Sequence, residues 1–294
     1  MIAMRKILHS AASLLALLLA FSACDDKPLV EPEPNISVNP GSDVEYAQLK
    51  LISYNILQGM KYDKENNYDN FVAWMNAQAP DVVAFEETNG FTEETLAELA
   101  ARWGHSYVTL NPNESGYTVS FTSRYPITVV EKFLDPDRKR GAIHAKILGM
   151  NFVVLHLYPY STWPYGEGAS GTGEDYRVME ITQYLDGTIR KYTDEKDWLM
   201  MGDFNCPSPY DVANTPSTWE YRAQNEVLES GYLDLVHEMH NQYITSTHSG
   251  YRIDFIFGSR SVAANVISAD ILKDDFTDVA SDHYPVCTVF RYKK

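Results

Sequence analysis

A chain of 294 residues carrying 40 acidic against 24 basic side chains has a formal charge of −16. Such a balance repels polyanions at long range and disfavours long nucleic acid, whose non-specific binding needs Lys and Arg to neutralise phosphates. A divalent cation can still invert the field locally.

Residues 1–23 read as an export signal. Arg5 and Lys6 lead into the apolar run Ala11 to Phe21, followed by Ser22-Ala23 before Cys24. The run is short for a bilayer span and ends at small residues suited to cleavage. Phe21-Ser22-Ala23-Cys24 resembles the lipobox of bacterial lipoproteins, which implies lipidation of Cys24 as the first mature residue, although Leu is commoner where Phe21 stands. The alternative is ordinary cleavage and a soluble periplasmic or secreted protein. Loss of residues 1–23, with two basic residues and no acidic one, takes the charge from −16 to −18. Residues 24–44 are rich in Pro, Asp, Glu, Asn and Ser and cannot bury enough surface to order themselves, so they read as a tether. A lipid on Cys24 would hold the catalytic body just off a cell-envelope membrane, each buried methylene contributing about 0.8 kcal/mol.

Residues 45–294 are long enough for one large core and show no internal repeat. Leu49 to Ile56 reads as a buried strand, then a helix spans Asp69 to Ala79 with Phe71, Trp74 and Met75 on one face, stopped by Pro80. Asp81 to Phe85 is a second strand. Thr92 caps a helix in which Leu96, Leu99, Ala100 and Trp103 recur at helical spacing, and Gly104 ends it. Strands follow at Ser106 to Leu110, Tyr117 to Thr122, Ile127 to Phe133, Gly141 to Leu148 and Asn151 to Leu157, with short connections that favour antiparallel meanders. A helix from Glu174 to Tyr192 precedes the strand Trp198 to Gly202. A further helix at Trp219 to Glu229 and strands at Tyr251 to Gly258, Val266 to Leu272 and Tyr284 to Tyr292 complete the chain. The pattern predicts an α+β fold: two packed, mainly antiparallel β-sheets forming a sandwich flanked by helices.

Polar residues cluster where apolar segments end: Tyr54-Asn55, Glu86-Glu87, Gly202-Asp203-Phe204-Asn205, Arg252-Ile253-Asp254 and Ser281-Asp282-His283. Residues two apart in a strand share a face, so Asp203 and Asn205 bring an acid and an amide to one place. Such a pair suits activation of water beside a phosphate. Five such ends suggest one shared catalytic mouth.

In this order, with Ser123-Arg124-Tyr125-Pro126-Ile127 between them, these segments resemble the endonuclease/exonuclease/phosphatase superfamily from about Leu49 to Arg291. The resemblance implies a metal-dependent phosphoesterase. It implies Glu87 as principal metal ligand, with Asn55 beside it and Asp282 near the ion. Asp203 would position or deprotonate the attacking water, and Asn205 would orient phosphate or nucleophile. His283 would contact the scissile phosphate with Asp254 holding its ring, and His156 would stabilise the transition state. Oxygen donors suit Mg²⁺ or Mn²⁺, and the body lacks the Cys and His spacing expected of zinc. The family usually has Gln before the metal-binding Glu, where this chain has Glu86. Alternation along a strand would turn Glu86 away from the active face; a second cation is the other role open to it.

Singly, most of these residues are uninformative, since Gly-Asp forms ordinary turns and Arg252 with Asp254 reads as a surface ion pair. Ser281-Asp282-His283 lacks the G-x-S-x-G elbow of a serine hydrolase. His237-Glu238-Met239-His240 is not H-E-x-x-H and reads as a solvated helix end. His144 and His248 read as core or rim, and Cys206 and Cys287 as separate buried thiols. Tyr158 to Tyr165, directly after His156, would either present aromatic faces to substrate or pack on the rim.

The sequence thus predicts hydrolysis of a small or lipid-like phosphate ester by in-line attack of water. A nuclease with a locally basic mouth is the first alternative. A non-catalytic binding module is the second, and the intact acid, amide and histidine set argues against it.

Overall fold

The computed structural model describes residues 45–111, 116–134, 140–162, 171–240 and 242–294. The export segment, Cys24, the tether, and residues 163–170 of the aromatic segment lie outside them. The described residues form strands β1 (Tyr46–Asn55), β2 (Val82–Glu86), β3 (Tyr107–Leu110), β4 (Ser120–Ser123), β5 (Thr128–Leu134), β6 (Gly141–Ile147), β7 (Met150–His156), β8 (Trp198–Asp203), β9 (Tyr232–Asp234), β10 (Asp254–Ser259), β11 (Val266–Ile271) and β12 (Val286–Lys293).

These make two six-stranded sheets, ordered β11-β12-β1-β2-β4-β3 and β5-β6-β7-β8-β10-β9. Each has a parallel pair at its centre, β1–β2 and β7–β8, with antiparallel pairings outward. The α+β sandwich expected from the sequence is therefore present.

Burial on both faces explains why the central strands read as unbroken apolar runs rather than alternating ones. Leu49, Leu51, Val82 and Ala84 of the first sheet meet Phe152, Val154, Met201 and Ile256 of the second across the sandwich. Behind the first sheet, Ile52, Tyr54, Val83 and Phe85 receive Phe71, Trp74 and Met75 of the helix Asp69–Gln78. Behind the second, Val153, Leu155, Met200 and Phe257 receive Ile181, Tyr184 and Leu185 of the helix Gly173–Gly187.

Local signals place several boundaries. Thr92 Oγ1 accepts the Thr95 N–H at 3.1 Å as its spacing predicts, and Thr172 with Asp175 forms the equivalent box on the long helix. That helix stops at Gly187, short of Tyr192, where a Cβ would sit 2.5 Å from the Phe133 ring. The helix expected from Trp219 begins at Arg222, and the strand expected from Tyr251 begins at Asp254. Arg252 also differs from expectation. It is buried, 3% exposed, and pairs with Asp211 at 2.8 Å and Asp234 at 2.6 Å rather than with Asp254. The three-residue β9 and the helical turns Pro209–Asn214 and Leu235–Met239, which supply these partners or flank them, carry too little periodicity to be read in advance.

Candidate active site

The carboxyl ends of β1, β2, β7 and β8 and the starts of β10 and β12 meet at one end of the sandwich. Residues opposite one another in a ladder share a face, so register decides who meets whom. Asn55 lies opposite Glu86, His156 opposite Asp203, and Asp203 opposite Asp254. Gly202 permits the approach of β8 to β7: its φ is +142°, and a Cβ there would lie 1.9 Å from Leu155 O.

Asn55 Nδ2 donates to Asp203 Oδ2 at 3.0 Å and so ties the two sheets together at the mouth. Asp203 Oδ1 accepts the Asn205 N–H at 2.8 Å, while Asn205 Nδ2 is turned onto Leu157 O at 3.0 Å. His283 Nδ1 contacts Asp254 Oδ1 at 3.0 Å and Oδ2 at 2.9 Å, leaving Nε2 3.8 Å from Asp203 Oδ2. His156 Nε2 lies 3.6 Å from the same oxygen. Asp203, Asp254 and His283 offer ligand atoms that all lie within 4.8 Å of one another.

Glu86 and Glu87 both reach this region, contrary to simple alternation. Glu87 has a left-handed φ of +58°, which breaks the strand period after Glu86. Its Oε2 accepts the Gln58 N–H at 2.9 Å and its Oε1 lies 3.4 Å from Asn55 Nδ2. Glu86 shares the face of Asn55, is fully buried, and accepts from Ser53 Oγ at 3.1 Å. Its Oε2 has no hydrogen-bond partner among the described residues. Asp282 differs from both, since its carboxylate is exposed and makes no hydrogen bond or ion pair among the described residues, although it is close enough to raise the pKa of Glu87.

Burial and neighbouring charge set the protonation states. Burial and then Asp254 push Asp203 up to about 7, against the opposing pull of His283 and the two amide donors. Burial works against the His283 imidazolium, but Asp254 and Asp203 outweigh it and push its pKa up to about 10. His156 is held neutral by burial, with Arg140 and His283 adding repulsion. Glu86 is raised well above the carboxylate range by burial and then by Asp254 and Asp203, and Glu87 is raised by burial.

Several buried carboxylates thus crowd about one imidazolium, and Glu86 Oε2 is orphaned. A hard divalent cation is the partner that such a donor set fits.

Other polar residues are structural. His237 stacks on Tyr210 at 3.9 Å, His240 meets Asp270 at 2.7 Å, His144 meets Asn151 at 2.9 Å, and His248 lies on Tyr284 at 4.8 Å. Cys206 and Cys287 are buried and free. Two residues escape sequence reasoning. Ser246, fully buried, donates to Asp254 Oδ2 at 2.6 Å and accepts the Ile253 and Asp254 N–H groups, fixing the carboxylate that orients His283. Arg140, 4% exposed, lies over Tyr158 with its guanidinium carbon 5.0 Å from the ring centroid, beside His156. A lone Ser among threonines and an Arg in a basic run carry no motif by which either could have been found.

The profile of the Endonuclease/Exonuclease/phosphatase family matches residues 52–283. Curated proteins give no match. An AP endonuclease from Archaeoglobus fulgidus is similar in structure, with TM-score 0.65, 21% identity, and coverage of 82% of this chain and 99% of that one. A 3′ phosphatase (NExo) from Neisseria bound to product DNA hairpin has TM-score 0.65, 18% identity and the same coverages, 82% and 99%. A 3′-5′ exonuclease (NExo) from Neisseria meningitidis has 19% identity at TM-score 0.65, again with 82% and 99% covered.

Proposed function

The chain belongs to the Endonuclease/Exonuclease/phosphatase family, a metal-dependent phosphoesterase family, and from that premise we propose that it hydrolyses a small or lipid-borne phosphate ester by in-line attack of water, with Mg²⁺ or Mn²⁺. The observation that carries the reading is the convergence of Asp203, Asp254 and His283 on one point beside Asn55 and Glu87.

Each side chain has a chemical part suited to its state. Asp203, with a pKa near 7, is placed to accept the proton of the attacking water. His283, charged and held by Asp254, donates from Nε2 to a phosphate oxygen as charge develops there. Neutral His156 lies beside Asp203 Oδ2 while the Asn205 backbone N–H holds Asp203 Oδ1, and His156 with the Asn205 side chain, on release from Leu157 O, would orient the phosphate. Glu87 and Asn55, with Asp282 at the rim, would hold the divalent cation, which supplies neutralisation of the phosphate charge when bound.

The acidic chain favours small or lipid-like esters over DNA. A nuclease remains the second reading because the structural neighbours include an AP endonuclease and an exonuclease. A panel of diesters, monoesters, sphingomyelin, inositol phosphates and DNA distinguishes them. Exhaustive chelation is expected to abolish turnover of the preferred ester, and Mg²⁺ or Mn²⁺ to restore it. Full activity after chelation would reject the metal proposal, and DNA as the preferred substrate would reject the small-ester proposal.

The proposal includes export to the cell envelope and lipid attachment at Cys24, from the composition of residues 1–44. Cys24→Ser in the full-length chain should shift the protein from membrane to soluble fractions. Unchanged partitioning would remove the lipid.

A further inference from the structure

One peptide unit beside the mouth is held at both of its polar ends. After His156, β7 gives way to Leu157, whose N–H donates to Asp203 O at 2.9 Å. The Leu157–Tyr158 peptide follows. Its carbonyl oxygen, Leu157 O, accepts from Asn205 Nδ2 at 3.0 Å, and its N–H, that of Tyr158, donates to Glu180 Oε2 at 2.8 Å. A peptide unit is planar, so whatever fixes the direction of its N–H also fixes the direction of its carbonyl. Glu180 therefore decides where Asn205 finds its acceptor.

Glu180 is 1% exposed and lies on the helix Gly173–Gly187, where Glu174, Arg177 and Glu180 recur at three-residue intervals and are all buried. Arg177 Nη1 donates to Tyr158 O at 2.9 Å and to Tyr160 O at 3.1 Å, while its Nε donates to Glu174 Oε2 at 2.9 Å. Glu174 Oε1 in turn accepts the Ala223 N–H at 2.8 Å. The Gly173 N–H donates to Ser161 O at 2.7 Å, and a Cβ on Gly173 would lie 1.7 Å from Tyr160 O, so helix start and segment meet backbone to backbone. The first turns of the helix thus grip residues 158–161. Burying a carboxylate is costly, and a neutral acceptor would satisfy a single N–H. What a carboxylate adds is a shorter, stronger bond that fixes the peptide plane and polarises the carbonyl at its other end.

Asn205 is fixed at its backbone and free only at its side chain. Its φ is +50°, a left-handed value that Asn adopts more readily than most residues, and its N–H donates to Asp203 Oδ1 at 2.8 Å. Only rotation of the side chain can carry the amide from Leu157 O toward a phosphate. We infer that Glu180 is a positioning residue of the phosphoester reaction: through the Leu157–Tyr158 peptide it sets the resting place of the Asn205 amide, and so the amide's reach to the phosphate. The effect on rate rests on the phosphoesterase reading, whereas the coupling of Glu180 to Asn205 does not.

Glu180→Ala is expected to lower kcat on the preferred ester by about 10- to 100-fold, the scale of a small misplacement caused from outside the reacting groups, with KM changed by less than about threefold. Glu180→Gln keeps an acceptor of the same shape and should return kcat to within about threefold of wild type. In the background of Asn205→Gly, which removes the amide and suits the left-handed φ, Glu180→Ala should cost less than about threefold further, because the two residues act as one unit. A repeat of the full loss in that background, or a lower melting temperature with kcat intact, would overturn the assignment, since a purely structural acid gives either result. The side-chain amide resonance of Asn205 in isotope-labelled protein, identified by its disappearance in Asn205→Gly, reads the coupling without turnover. It should move in Glu180→Gln, whose side chain has the volume of the original. An unmoved resonance would overturn the coupling whatever the rates. If no ester is hydrolysed and the resonance still moves, the phosphoesterase reading fails and the coupling stands.

Discussion

Replacing either Asp203 or His283 with alanine is expected to lower kcat by about 10²- to 10⁴-fold, the span for a positioned acid–base group. The two losses have different origins. Asp203→Ala removes the acceptor whose burial and proximity to Asp254 bring its pKa to about 7, where it can both take and release a proton. His283→Ala removes a donor and leaves the Asp254 carboxylate held by Ser246 but without its imidazolium. Initial rates on the preferred ester, with circular dichroism to confirm folding, measure both. Near-wild-type turnover in both variants would reject these roles. The same states set the pH profile: activity should rise as Asp203 ionises and fall as His283 loses its proton near 10, with metal binding moving the first limb to lower pH.

A saturating divalent cation is expected to raise the melting temperature by roughly 5–10 °C at pH 8 and by clearly less at pH 5.5. At 100 times Kd a ligand contributes about 2.7 kcal/mol, and each kcal/mol moves a domain of this size by about 2–4 °C. The sign follows from linkage. Asp203 has a folded pKa raised to about 7, above its unfolded value, so the folded state holds a proton that the unfolded chain releases, and its contribution to stability falls as pH rises from about 4 to about 7. His283, raised to about 10, contributes stability that is full below about 6.5 and lost as pH climbs through 10. The metal-free site is therefore least comfortable on the alkaline side, where carboxylates repel one another unprotonated. A cation relieves that repulsion at pH 8 and competes with protons at pH 5.5. Differential scanning fluorimetry with and without Mn²⁺ reads it directly. No shift at pH 8, or a larger one at pH 5.5, would contradict the proposed metal role.

Much of this centre was legible in the sequence because the strands beneath it are buried on both faces. Apolar runs ending at Asn55, His156 and Asp203 could only be central strands, and a polar residue at the end of a central strand needs a reason. Less was legible where geometry overrides period. Alternation placed Glu86 and Glu87 on opposite faces, but the left-handed φ of Glu87 brings both to the mouth. Arg252 looked like a partner of Asp254 two residues away, yet its partners are Asp211 and Asp234, distant in the chain and on elements too short to leave a pattern. Ser246 was invisible for the same reason, since its importance lies in one 2.6 Å contact that exists only after the turn before β10 closes. The aromatic segment after His156 left two possibilities open, and of its two described tyrosines Tyr158 is buried and Tyr160 is exposed.

The spatial union of residues from opposite sheets is tested most directly by the double variant Asp203→Ala, His283→Ala. Groups that serve one reacting phosphate fail together, so the pair should cost little more than the worse single change. Losses that multiply across the two substitutions would mean that Asp203 and His283 act independently, and the common centre would have to be abandoned.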